Sequence, residues 1–484
     1  MRPLLAPLRS APLIALRFAT LIGLVAIATG PPAHAQSGPS GPAPSQATLT
    51  VDYERFRLDN GLDVILHRDP STPVVSVNTW YHVGSAREAP GRTGFAHLFE
   101  HLMFEGSGHV PEGAIDTWIE AAGGTTNGST TTDRTNYYVD AASNALDLAL
   151  FLDADRMASL LDAMSPGSVD GQRDVVKNER RQSYENRPYG LAFPLLAQTL
   201  YPAGHPYHWP VIGSMEDLSA ASYDDVVGFY RTYYTPNNAS LVVAGDIDLA
   251  EARRLVTKWY GSIPAGPPIP PQAVARPQLS GETRLVHTDA VQLPRLYLAW
   301  HAPAAYAPAD AAMTALAQVL AGGKNSRLYK RLVYDLEIAQ DVSAFQDGNQ
   351  LGGAFYVIAT ARPGVTLAQL EAEIDAELAR VQAQAPDARE LQRVVNGIES
   401  AFLGGLETVG GFGGKADQLN AYLVWTGTPD FFQEDLARFR ALSPRDVSDA
   451  ALSFLTADRV ALSVVPADGL ALAIPDSETA VSKF

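Results

Sequence analysis

Apolar and polar positions along this chain fall into two rhythms that alternate in blocks. Val74 to Val83 is a run of β-branched and aromatic residues and predicts a buried strand, and Leu296 to His301 is its counterpart much further along. Ala145 to Met157 and Asp224 to Tyr233 instead place their apolar residues at helical spacing. The second of these helical windows belongs to a longer pattern. Ser222-Tyr223-Asp224-Asp225-Val226 opens a helix, and Asn237-Asn238-Ala239-Ser240-Leu241-Val242-Val243 follows as turn and strand. The same succession recurs at Ser443-Pro444-Arg445-Asp446-Val447 and Asp458-Arg459-Val460-Ala461-Leu462-Ser463-Val464, with the same separation at both ends. A duplicated unit explains this more economically than chance similarity of two helix–strand pairs. The expected fold is therefore α+β: two homologous domains, each a mostly antiparallel sheet packed by helices.

Punctuation along the chain divides it accordingly. Residues 36–50 are rich in Ser, Gly and Pro and read as a flexible leader. Pro264 to Pro277, with Pro267, Pro268, Pro270 and Pro271 inside it, excludes a regular helix and favours an extended connector. The expected domains are 51–263 and 281–470, with a proline-rich linker at 264–280 and a tail at 471–484.

Composition adds three constraints. At 484 residues with 46% hydrophobic and 18% charged content, the chain has the make-up of a multidomain globular protein. Its net charge of −17 disfavours nucleic acid and anionic lipid as partners. With no cysteine, disulfides and thiolate ligands are excluded, so any metal must be held by His, Asp or Glu. Residues 1–35 differ from the rest. Arg2, Arg9 and Arg17 precede an uncharged apolar run, Phe18 to Ala28, and Ala33-His34-Ala35 supplies a small-x-small site. This reads as a secretory signal peptide cleaved near Ala35, and hence a periplasmic or secreted protein. The run falls short of the roughly 20 apolar residues a membrane-spanning helix needs.

The chemistry concentrates in Gly94-Phe95-Ala96-His97-Leu98-Phe99-Glu100-His101-Leu102-Met103-Phe104, which contains H-x-x-E-H. Positions i and i+4 share a helix face, so His97 and His101 can address one ion, with Glu100 beside them as a catalytic base. This order is the inverse of the commoner H-E-x-x-H. A catalytic zinc has three protein ligands and one open position, so a third ligand must come from another element. Val175 to Gln182 offers Glu179 on a helix that has to end near Pro188, but spacing alone leaves it one acid among many.

Taken together, Asn78 to Ser107, Gly123-Gly124-Thr125-Thr126-Asn127 and Arg173 to Glu179 resemble the pitrilysin/insulinase family of zinc metallopeptidases, particularly its bacterial members akin to the mitochondrial processing peptidase. His205-Pro206-Tyr207 and Tyr234 to Asn238 look like further landmarks, so the resemblance spans almost all of the chain beyond the leader. It implies that Glu179 is the third ligand of a single zinc ion per chain. It also implies a clamshell of paired homologous domains, of which this chain is one half, closing over a peptide. The segment around Thr125 to Thr131 is then expected at the cleft edge, pairing with substrate backbone as an added strand, with Asn127 and Thr126 as substrate contacts.

Two departures from the family pattern matter. Gln172, two helical turns before Glu179, stands where many relatives carry a second glutamate, so it supplies a hydrogen bond without charge next to the ligand helix. In the second half, Gly322-Gly323-Lys324-Asn325-Ser326-Arg327-Leu328-Tyr329 is present, but Val333 and Gln340 occupy the positions of an Arg/Tyr pair thought to stabilise the oxyanion. Loss of one such donor costs roughly 100- to 1000-fold in rate. The expectation is a homologous partner chain that supplies the pair, or a homodimer, with Arg331 or Tyr334 as local substitutes. The alternative is a noncatalytic scaffold subunit of the same fold. Gly410 to Lys415 lacks the phosphate-loop spacing and is expected to be a loop near the cleft.

Overall fold

The structure is a computed structural model that describes residues 49–484; the expected signal peptide and most of the leader lie outside them. The first half runs β1 (Glu54–Arg57), β2 (Asp63–Arg68), β3 (Val74–Tyr81), α1 (Phe95–Leu102), α2 (Ala114–Ala121), β4 (Thr125–Thr130), β5 (Thr135–Ala142), α3 (Leu146–Ala163), α4 (Pro166–Arg180), α5 (Ala192–Leu200), α6 (Met215–Ala220), α7 (Tyr223–Tyr233), β6 (Ala239–Gly245) and α8 (Leu249–Tyr260). The second half runs β7 (Thr283–Asp289), β8 (Arg295–Ala302), α9 (Asp310–Ala321), β9 (Ala339–Asn349), β10 (Gly352–Ala361), α10 (Leu367–Ala383), α11 (Ala388–Gly405), α12 (Lys415–Thr426), α13 (Phe432–Arg440), α14 (Pro444–Phe454), β11 (Val460–Pro466) and β12 (Glu478–Thr479). No helix or strand lies between Tyr260 and Thr283, where the prolines fix φ and remove donors.

Each half builds a 6-stranded sheet, in the orders β1-β2-β6-β3-β5-β4 and β12-β7-β11-β8-β10-β9. The sheets are mixed: β2 runs parallel to β6 and β7 to β11, while β3 and β8 are antiparallel to both of their neighbours. The duplication is in register at several elements. The separation between Ser222 and Ser443 also relates the first residues of β3 and β8, of α3 and α10, of α7 and α14, and of β6 and β11. Ser222 and Ser443 each cap their helix with a reciprocal serine–aspartate box, to Asp225 and Asp446.

Side-chain alternation explains why the central strands are apolar on both faces. Val64 and Leu66 of β2 and Leu241 and Val243 of β6 enter one core under α3 and α8, while Ile65, Val242 and Ala244 point the opposite way. What covers this opposite face comes from the other half: Ala416, Leu419, Tyr422 and Leu423 of α12. The arrangement is reciprocal. Tyr297 and Ala299 of β8 and Leu462 and Val464 of β11 are covered by Leu195, Leu196 and Leu200 of α5, a first-half helix. The seam under α12 is also polar. Asp417 accepts hydrogen bonds from Trp80 Nε1 at 2.8 Å, Asn136 Nδ2 at 3.0 Å and the Gly413 backbone at 2.8 Å, and Asn420 Nδ2 donates to Asn78. The glycine-rich loop before α12 thus packs on the first sheet, with Phe412 edge-on to Tyr138. Residues beyond 470, expected as a tail, contribute β12 to the second sheet.

Two histidines in this framework carry a pH prediction. Burial pulls the pKa of His82 down from 6.5 to about 4 and does the same to His301, with Arg276 adding to the shift at His301. Between those values the unfolded chain takes up protons that the folded chain refuses, so their contribution is complete above pH 6.5 and is lost as pH falls towards about 4. Removing one of these groups should blunt that loss. The thermal midpoint of His301→Gln should drop less than that of wild type on acidification across this window; parallel curves would contradict the assignment.

Candidate metal centre

The helix bearing H-x-x-E-H is only 8 residues long and has no side-chain cap on its own Gly94. A helix this short is marginal in isolation, so the fold has to hold it. Glu88 reaches forward to accept the backbone N–H of Gly94 at 2.9 Å and of Ala96 at 2.8 Å, satisfying the free donors of the first turn. Burial pushes the Glu88 carboxyl up to about 8, against the lowering effect of those N–H groups. Along the helix, the Tyr234 hydroxyl bonds Ala96 O at 3.3 Å and the Tyr137 hydroxyl bonds Phe99 O at 3.0 Å. Leu98, Phe99 and Leu102 anchor the apolar face in the first core.

The polar face meets α4. Ser165 and Ser168 form a capping box at the start of α4, which continues to Arg180 and leaves through a wide π-type turn, Arg181–Glu185. Its packing against α1 brings Glu179 Oε2 to 3.2 Å from His101 Nε2 and 3.6 Å from His97 Nε2. The candidate ligand atoms of all three residues lie within 4.8 Å of one another. Burial holds the His97 imidazole below its ordinary pKa. Burial would raise Glu179, but the His101 hydrogen bond and the neighbouring imidazoles hold it low. Two imidazoles and a carboxylate are a donor set for a divalent metal ion. Ligand atoms on a tetrahedral ion with bonds of about 2.0–2.1 Å stand roughly 3.3 Å apart, which the Glu179 contacts match.

Glu100 is partly buried beside this cluster and faces β4, the edge strand of the first sheet. A Cβ on Gly128 would lie 3.2 Å from Glu100 Cγ, so the strand passes Glu100 at a glycine, where nothing intrudes. Thr126 and Asn127 sit just before Gly128 on that strand. Thr126 Oγ1 donates to Tyr138 O at 2.8 Å within the hairpin, and Asn127 Oδ1 accepts from the Gly128 backbone at 2.8 Å. Gln172 does not touch Glu179: its Nε2 donates to Glu105 Oε1 at 2.6 Å, bracing α4 against the segment that follows α1. Burial first, then Glu112, raises the Glu105 carboxyl.

The second half holds no comparable cluster among the described residues. At the separation that relates Ser222 to Ser443, His97, Glu100, His101 and Glu179 fall on Gln318, Ala321, Gly322 and Ser400, so none of the four side chains recurs there. Val333 packs against the second core, and Gln340 is exposed on the edge strand β9. Arg331 pairs with Glu373 at 2.8 Å, and Tyr334 is 76% exposed. His205-Pro206-Tyr207 lies at the contact between halves. There the Tyr207 hydroxyl donates to Asp133 at 2.8 Å, and Asp133 accepts the Gln350 backbone N–H at 2.8 Å. Sequence reasoning missed Glu88, Gly213 and Arg180. Of these, the signal at Arg180 was its place directly after a candidate ligand.

Comparison with known proteins finds two models of one peptidase family, which meet between residues 206 and 220, inside the first half. Residues 63–206 match the family model described as Insulinase (Peptidase family M16), and residues 220–398 match the Peptidase M16 inactive domain. The zinc protease PqqE of Helicobacter pylori is 31% identical over 360 residues, covering 74% of this chain and 80% of that protein. The crystal structure of a protease from Helicobacter pylori aligns with a TM-score of 0.81 at 28% identity, covering 86% of this chain and 100% of the other. The periplasmic protease PqqL of Escherichia coli shares the fold, with a TM-score of 0.69 at 19% identity; 87% of this chain covers 48% of that one.

Proposed function

Because the chain belongs to the insulinase family of peptidases, we propose that it is a zinc-dependent endopeptidase subunit, with His97, His101 and Glu179 as ligands and Glu100 as general base. The observation that carries this reading is the convergence of the three ligand atoms within 4.8 Å, beside Glu100 and an open strand edge. Zinc held there would supply Lewis acidity and water of lowered pKa. The rest falls to the chain's own residues. Strand β4 offers unpaired backbone groups along its free edge, so an extended peptide can add to the sheet and lie across Glu100, with Asn127 at the contact. Glu100 then takes a proton from the attacking water and returns one to the leaving amine.

A partner chain completes the proposal. Val333 and Gln340 stand at the expected Arg/Tyr positions and Arg331 is tied to Glu373, which leaves the exposed Tyr334 as the local substitute and favours a partner chain that carries the pair. The likeness to PqqL, whose chain is about twice the length spanned here, supports a complete clamshell made of two such units. Export to the periplasm fits the leader, and no helix among the described residues is long and apolar enough to cross a membrane.

Hydrolysis of quenched fluorescent peptides tests the reading. The mature chain, alone or mixed with a homologous chain carrying the Arg/Tyr pair, should cleave peptides, lose that activity to a chelator and regain it with zinc. Cleavage indifferent to chelation would overturn the zinc reading, and folded protein that takes up no zinc and cleaves nothing would support the scaffold alternative.

A further inference from the structure

Arg180, next to the ligand Glu179, makes contacts that a helix-surface arginine would not need. It is 3% exposed and closes α4. Its Nε meets Glu185 Oε1 at 3.3 Å, its Nη1 donates to Gly213 O, and its Nη2 donates to the main-chain oxygen of Phe484. Glu185 is itself 41% exposed, so Gly213 O and the main-chain oxygen of Phe484 are the partners that hold this buried cation from the protein interior. Burying a charge is costly, and it persists only where hydrogen bonds fix it.

Each of these two oxygens leads somewhere specific. Gly213 lies backbone to backbone against Gly94, the cap of α1: a Cβ on Gly213 would stand 2.4 Å from Gly94 N and Cα. The neighbouring Ser214 N–H donates to Thr93 Oγ1 at 2.9 Å. Arg180 therefore ties the helix of Glu179 to the start of the helix of His97 and His101. Phe484 leads to the second half. Ala480 N–H donates to Val286 O at 2.8 Å, next to the sheet. Gln198 of α5 holds Val481 O at 2.9 Å and Lys483 N at 3.0 Å, and the Phe484 ring meets His208 edge-on at 5.4 Å. Residues 480–484 form a strap from the second sheet to the guanidinium beside the ligand.

We propose that Arg180 is a positioning residue for Glu179, held in place by this strap, so that residues 481–484 of the ligand-free half set the metal affinity of the other half. The inference rests on the zinc reading above. Groups that orient a ligand typically contribute roughly 10- to 100-fold in metal affinity. Chelator competition on the full-length protein, on a chain ending at Ala480 and on Arg180→Gln should give zinc affinities weakened by about that factor in both variants. The two changes combined should be no worse than the worse one alone, because they remove the same contact. Metal-free thermal midpoints, measured alongside, separate this from general unfolding. If the shortened chain binds zinc as tightly as the full chain, the strap has no such role, whatever becomes of Arg180→Gln. If the full chain binds no zinc, the zinc reading falls as well.

Discussion

The Glu100→Gln protein is expected to bind zinc with wild-type stoichiometry and affinity, and to hydrolyse peptides roughly 100- to 10,000-fold more slowly. The two halves of this expectation have separate causes. Glu100 is not part of the converging ligand set of His97, His101 and Glu179, so exchanging its carboxylate for an isosteric amide leaves that set intact. The replaced oxygen is the one that would accept a proton, and an amide cannot. The larger substitution Gly128→Val would also reduce activity, by crowding Glu100 from the strand, but it confounds base and substrate edge. Zinc content and turnover measured on one preparation decide the matter. Retained turnover would remove Glu100 from the mechanism, and lost zinc would make it part of the metal site.

Gly213→Ala should be among the most destabilising single substitutions available in the first half. The residue has φ of +72°, and an added Cβ would sit 2.4 Å from Gly94 N and Cα and 2.6 Å from the Thr93 carbonyl carbon. All three are main-chain atoms, so no side chain can swing away. The left-handed conformation alone costs an alanine about 1–2 kcal/mol. Gly123→Ala measures that part, because Gly123 has φ of +73° and nothing within 4 Å of the added atom. The excess at Gly213, about 2 kcal/mol or more, is the collision with the cap of α1. Denaturant unfolding of both variants gives the difference directly. Equal losses would mean that the two loops part easily, and that α1 is not clamped there.

Which features could be read from sequence depended on whether their cause was local. His97, Glu100 and His101 share one helix face, and a spacing records that. Glu179 comes from a different helix, and nothing in Val175 to Gln182 distinguishes it from a solvated acid, so the family resemblance had to supply it. The strands β3 and β8 were legible because burial on both faces removes alternation and leaves a continuous apolar run. What buries the second face was not legible: α5 and α12 cover each other's sheets, and neither helix carries a mark of its destination. Asp417 is hidden for the same reason, since its partners Trp80 and Asn136 are remote in sequence. The end of the chain was expected as a tail because β12 is only 2 residues long and its pairing is set by the second sheet.

The exchange of α5 and α12 also orders events during synthesis. The outer face of the first sheet, with Ile65, Val242 and Ala244, is closed by a helix that leaves the ribosome only after most of the second half. Until then a nascent first half carries an open apolar face, the kind of surface on which incomplete chains aggregate or recruit chaperones. The reciprocal helix α5 is made early and waits for β8 and β11. Neither half can finish folding before the other, and the last step of one is the last step of both.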